Sequence, residues 1–159
     1  MSLFAPSDQV DRAVSPTNRL KMAIPTIVSK WQSLEPQFRS VLRVMAGFMF
    51  MLAGTTKLFA FPGAGREGGT VELFSQMGLA GVLEAVGGFL LMIGLFTRPV
   101  AFLVCGEMAV AYFQAHLPRS FWPTLNGGVT AALYCFIWLY FSAAGAGPWS
   151  VDAKFRRRA

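Results

Sequence analysis

Between residues 41 and 144 this chain carries four apolar stretches, each long enough to cross a bilayer. They are 41–61 (VLRVMAGFMFMLAGTTKLFAF), 77–96 (MGLAGVLEAVGGFLLMIGLF), 99–116 (PVAFLVCGEMAVAYFQAH) and 124–144 (TLNGGVTAALYCFIWLYFSAA). A helix of about 20 apolar residues spans a hydrocarbon core roughly 30 Å thick. Stretches this uniform leave hardly any polar face for water, which argues against a soluble bundle. The expected fold is therefore all-α, an integral membrane four-helix bundle over 41–144. Only 14% of the residues are charged, where a soluble domain carries about a quarter.

The net charge of +6 is not a nucleic-acid footprint, because of where the basic residues fall. Arg12, Arg19, Lys21, Lys30 and Arg39 precede the first stretch, and Lys154, Arg156, Arg157 and Arg158 follow the last. The connection between the second and third stretches adds Arg98, while the other two connections hold only Arg66 and Arg119. The positive-inside rule then places both termini in the cytoplasm, and an even number of spans agrees with that. Residues 1–40 show no cleavable signal and are broken by Pro6, Pro16, Pro25 and Pro36. Within them, 20–34 (LKMAIPTIVSKWQSL) reads either as a membrane-surface segment or as a solvated tail. The basic end of the tail 145–159 suits anionic lipid. The run 63–69 (GAGREGG) is a flexible outer loop without the lysine pattern of a phosphate loop.

Polar residues inside lipid each need a partner or a purpose. They are Lys57, Glu84, Glu107, His116 and Asn126. With cytoplasmic termini, Lys57, Glu84, His116 and Asn126 fall in the outer half of the membrane, one from each stretch. On the first stretch Arg43, Gly47, Phe50, Gly54 and Lys57 share a face, and the glycines make it a close-packing one. Lys57 then points into the bundle or snorkels to the outer headgroups. Glu84, beside Gly81, Gly87 and Gly88, needs a cation such as Lys57 or His116, or carries a proton. On the third stretch Cys105, Tyr112 and His116 fall on one side, and Glu107, Ala111 and Gln114 on the other. Glu107 and Gln114 are thus candidates for a contact with another helix or subunit. Cys105 and Cys135 read as buried structural thiols at somewhat different depths, with no disulfide between them and no CxxC pair.

A single histidine excludes a bis-histidine haem, and the opposite facing of Glu107 and His116 argues against a metal site; neither haem nor metal is expected. An outer-half pocket of Lys57, Glu84, Tyr112, His116 and Asn126 would suit an amphipathic, lipid-soluble ligand such as a quinone. The same groups would equally lock four helices together.

Several segments together resemble the DoxX family of small four-span bacterial membrane proteins. They are LRVMAGFMFMLAGTTKL at 42–58, LEAVGGFLLMIGLFTRP at 83–99, GEMAVAYFQAHLPRSFWPTLNGG at 106–128 and GPWSVD at 147–152. The resemblance carries the family pattern onto Gly54, Lys57, Glu84, Gly87, Gly88, Arg98, Glu107, His116, Asn126, Gly127 and Gly128. Members usually follow Asn-Gly-Gly with Glu, where this chain has Val129. The family takes its name from a small subunit of a thiosulfate:quinone oxidoreductase. The resemblance implies a non-catalytic accessory or anchoring subunit of a membrane redox complex, with a membrane protein partner or a homo-oligomer, or alternatively a quinone-interacting subunit. No electron carrier is recognisable in the chain itself.

Overall fold

The computed structural model describes residues 27–63 and 70–156. Residues 20–26 of the expected surface segment, 64–69 of the glycine-rich loop, and Arg157 and Arg158 lie outside the described residues. The chain divides into two compact units, Met1–Glu35 and Pro36–Ala159. In the first, residues 27–33 are helical, and the Leu34 N–H donates to Trp31 O at 3.1 Å.

Among the described residues all regular structure is helical. The elements are α1 (Glu35–Phe59), α2 (Gln76–Ile93), α3 (Thr97–Ala111), a π-helical turn (Tyr112–His116), α4 (Pro123–Asn126), α5 (Val129–Ala144) and α6 (Val151–Arg156). Helix α1 starts ahead of the apolar stretch because Pro36 falls in its first turn, where a missing N–H is harmless. Helix α2 has clear stop and start chemistry. The Ser75 side chain accepts from the Gly78 N–H at 3.0 Å, and Gly94 (φ +73°) closes the end by donating to Leu90 O and Leu91 O.

The third and fourth apolar stretches depart from the continuous helices expected of them. The third turns π-helical from Tyr112, with the Leu117 N–H reaching back to Tyr112 O at 2.9 Å. The fourth is broken at Gly127 (φ +73°) and Gly128, so Asn126 sits on a separate single turn ahead of the long helix. The Asn-Gly-Gly sequence drives this break: Asn126 Oδ1 accepts the Gly128 N–H at 2.7 Å, an Asx-type bond that competes with helix.

Helices α1, α2, α3 and α5 feed one core, which includes Phe50, Leu91, Val104, Trp138 and Phe141. Phe50 stands edge-on to Trp138 at 5.3 Å, while Tyr134 stacks on Trp138 at 5.8 Å. The outside is as apolar as the inside. Phe48, Met49, Leu79, Val86, Phe89, Phe102, Leu103, Leu133 and Phe136 all face outward, while Ser40, Arg43, Glu84, Thr97 and Asn126 are buried. This inversion of the usual soluble pattern is what lipid contact demands. Two helices, α1 with 25 residues and α2 with 18, are long and apolar enough to cross a membrane. Only 28% and 33% of their apolar windows are buried, so neither is the central helix of a soluble core. Helix α5 is apolar but has 16 residues.

Two features join the elements. The first is a seam of small residues between α1 and α2. A Cβ on Gly47 would meet Met92 N at 2.7 Å and Gly88 O at 2.9 Å, and on Gly54 it would collide with Ala85 N and Gly81 O. The second is Arg43, whose side chain is fully buried. Its Nε donates to Ala146 O at 2.8 Å, Nη1 to Leu91 O and to Met92 O (2.6 Å), and Nη2 to Trp149 O at 2.6 Å. One planar fork thus ties α1 to the end of α2 and to the loop after α5. Asp152 completes the joint, its carboxylate accepting the N–H groups of Phe96 (2.8 Å) and Thr97 (2.9 Å) at the start of α3.

Gly54→Val should destabilise the protein by about 1–3 kcal/mol, because the seam is backbone against backbone. Gly106→Ala, whose added Cβ meets nothing within 4 Å, should instead stabilise it by up to about 1 kcal/mol. Melting temperatures in detergent compare the two. Arg43→Lys should fail to replace arginine and cost at least about 2 kcal/mol, since an ammonium cannot serve all four carbonyls; denaturant titration of the purified variant measures it.

Candidate functional site

The five residues expected to share an outer-half pocket separate into two hydrogen-bonded groups. The first joins α1 to α2. Lys57, in the last turn of α1, places Nζ 2.5 Å from Glu84 Oε1. The Glu84 side chain is 5% exposed and that of Lys57 29%, so the lysine forms the outer edge of the pair. This direct pairing takes Lys57 inward. Helix α1 can deliver it there because Gly54, one turn earlier, lets the backbones touch, and Gly81 lies against the Lys57 Cβ and the Leu58 side chain.

The second group organises the turn between α3 and α5. The Tyr112 hydroxyl donates to Phe121 O at 2.8 Å, and Asn126 Nδ2 donates to Ser120 O at 2.7 Å and to Tyr112 Oη at 3.4 Å. His116 Nδ1 lies 3.2 Å from Asn126 O, and the His116 and Tyr112 rings stack at 6.3 Å. Gly128 is enclosed by all three: a Cβ there would fall 2.7 Å from Asn126 Oδ1, 2.8 Å from the Tyr112 ring and 2.9 Å from His116 Cβ. Each polar atom of Asn126 is engaged, and the group closes a reversal of the chain.

Glu107 stands apart from that second group and keeps company with the first: Glu84 and Lys57 are its charged neighbours. Both Glu107 carboxylate oxygens are buried, and among the described residues neither has a hydrogen-bond partner; the same holds for Glu84 Oε2. Glu107 lines a cleft of about 440 Å³ between α2 and α3, walled by Leu79, Ala80, Leu83, Leu103, Gly106 and Val110. Gln76 and Ala111 also border it, and Gln76 Nε2 donates to Gln114 Oε1 beside it. Glu107, Ala111 and Gln114 therefore all turn toward α2. The cleft is apolar except at Glu107 and at the Gln76 amide on its border, so it can accept a lipophilic surface that brings a hydrogen-bond donor or a cation. Among the described residues no three His, Cys, Asp or Glu side chains gather closely enough to hold a metal ion.

Three arrangements escaped the sequence reading. Arg43 was placed on the glycine face, but its carbonyl partners come from the chain 48 to 106 residues away. Asp152 was part of the GPWSVD segment without an assigned task. The two cysteines, expected at different depths, are in contact, with Sγ atoms 3.7 Å apart. Counting from the ends of α3 and α5 that lie on one side, Thr97 and Ala144, both cysteines sit about two and a half turns in. The only prior signal for Arg43 was a charge inside an apolar run. Val129 opens α5 and is 47% exposed, an outward position at a helix start where a carboxylate would be favoured.

Lys57→Met should lower stability by roughly 3–5 kcal/mol, because it strands Glu84 in the seam. The double change Lys57→Met with Glu84→Leu should recover most of that loss. A double-mutant cycle by chemical denaturation in detergent checks both, and equal losses in the single and double variants would mean the pair does not hold α1 to α2.

Comparison with known proteins agrees with the sequence motifs. The DoxX family's sequence model matches residues 38–117. An uncharacterized protein of Haemophilus influenzae is 42% identical over 131 residues, which cover 80% of this chain and 97% of that protein. No solved structure matches. With half its length on the family pattern and a relative this similar along nearly all of that relative's length, the chain belongs to the DoxX family, a membrane-associated family of helical proteins.

Proposed function

We propose that this protein is a small, non-catalytic accessory or anchoring subunit of a larger redox assembly in a bacterial inner membrane. In this reading α1, α2, α3 with its π-turn, and α5 are four spans of one bundle, and both termini are cytoplasmic. Helix lengths support it: the 25, 18 and 16 residues of α1, α2 and α5 rise about 37, 27 and 24 Å, close to a roughly 30 Å core. The basic residues before α1, at Arg98 and after α5 support the orientation.

The observation that carries the accessory role is how the buried polar groups are used. Arg43, Lys57, Asn126 and Asp152 are all committed to bonds within the chain. Glu107 differs from them: among the described residues it is a carboxyl group with both oxygens buried and unpartnered, in a largely apolar cleft. A partner helix that places a donor or a cation in the α2–α3 cleft would satisfy it. A quinone at the outer-half polar residues is the alternative. It has less support, because Lys57, His116 and Asn126, the donors it would use, already have partners within the chain.

Glu107→Gln keeps the shape of the side chain and replaces the carboxyl group with an amide. Purified in mild detergent from its own membrane, the wild-type protein should carry a partner subunit, visible as an added mass in native mass spectrometry. The Glu107→Gln variant should lose at least about tenfold in partner occupancy, the effect of some 1.4 kcal/mol at an interface, with its own melting temperature unchanged. Full partner retention by the variant would sink the docking role of Glu107. A co-purifying quinone in place of a protein would favour the alternative.

A further inference from the structure

Cys105 and Cys135 come from different helices and are 30 residues apart in sequence, yet their sulfurs touch at 3.7 Å. Nothing local forces this meeting. Helices α3 and α5 bring it about by packing Val104 and Met108 of one and Ala131 and Trp138 of the other into the common core. Both cysteines are free thiols and half-buried at the edge of that core. Each sulfur has the other as its hydrogen-bonding neighbour. No third metal-ligating side chain joins them among the described residues, so the pair is not part of a tetrahedral thiolate site.

We propose that Cys105 and Cys135 form a reversible dithiol/disulfide couple that bridges α3 and α5. A disulfide bond is about 2.05 Å long, so closure needs an approach of some 1.7 Å, shared between two side chains on adjoining helices. The chemistry balances with a two-electron, two-proton acceptor. Both S–H bonds break, one S–S bond forms, and two electrons and two protons pass to the acceptor. A pair placed midway along apolar helices is reached through lipid rather than water, with Phe102 and Phe136 facing outward beside it. The acceptor class this position selects is a lipid-soluble quinone, which becomes a hydroquinone. The couple does not depend on the accessory reading, since it uses neither Glu107 nor a partner chain.

The test uses the full chain in its own membranes, with decylubiquinone as the oxidant because its ring has no free position for thiol addition. After acid quenching, the denatured protein is alkylated with N-ethylmaleimide and weighed intact. The expected result is a monomer lighter by two hydrogens that takes no maleimide, with both adducts restored by prior dithiothreitol. Cys105→Ser and Cys135→Ser should each retain one reactive thiol and show no such loss. Two maleimides on the quinone-treated wild type would overturn the proposal. Closure with copper–phenanthroline but not with the quinone would also overturn it, reducing the pair to neighbours without a redox role.

Discussion

A single buried guanidinium organises one end of this molecule. Arg43 enters an apolar interior where an unpaired charge would be prohibitive, and it is tolerated because four backbone carbonyls surround it. Two of those carbonyls, of Leu91 and Met92, belong to the last turn of α2, where the helix offers carbonyls no i+4 N–H and only Leu91 is met by the Gly94 cap. The other two belong to Ala146 and Trp149, in a loop that is also tied back where the Trp149 N–H donates to Ser40 Oγ at 3.3 Å. Asp152, brought close by the same loop, then caps the start of α3 in place of Phe96, whose phenyl side chain has no acceptor with which to cap the helix. The arginine thus satisfies one helix end, and the aspartate it draws near satisfies the next.

The opposite end is held by different chemistry on the same helix face. Arg43 and Lys57 are four turns apart on α1, about 21 Å of rise, and both turn toward α2. Between them Gly47 and Gly54 let the two backbones meet. In lipid, apolar packing alone discriminates little between helix–helix and helix–lipid contact, so close approach and polar bonds must specify the pairing. The seam supplies the first, and the Arg43 and Lys57 contacts supply the second at its two ends. Glu107 adds a second carboxylate near the Lys57–Glu84 pair without a cation of its own, which is why it stands out as a place for something else to bind.

The helical class was legible in the sequence because a long apolar run leaves few other ways to satisfy backbone hydrogen bonds. The glycine face of α1 was legible because the 3.6-residue period puts 43, 47, 50, 54 and 57 on one side. The breaks were harder to read. The π-turn at 112–116 depends on a hydrogen bond from Leu117 that no residue type announces. The interruption at 127–128 was visible as Asn-Gly-Gly, but hydropathy carried the fourth stretch straight through it. Tyr112, His116 and Asn126 accordingly belong to a chain reversal rather than to the Lys57–Glu84 pair, a division that depth along the membrane normal alone does not reveal.

By itself, the sequence determined that the protein is helical and that its long stretches are apolar almost all round. These properties follow from composition and local periodicity, which act at every position along the chain; membership of the DoxX family rests instead on the specific segments it shares with that family. Only the tertiary structure decided which polar group meets which. It gave Arg43 to the carbonyls of α2 and the final loop, Lys57 to Glu84, and Cys105 to Cys135, and among the described residues it left the Glu107 carboxyl group without a partner. Such pairings are set by helix rotation and close approach between distant segments, and a shift of one residue in either would redirect them all.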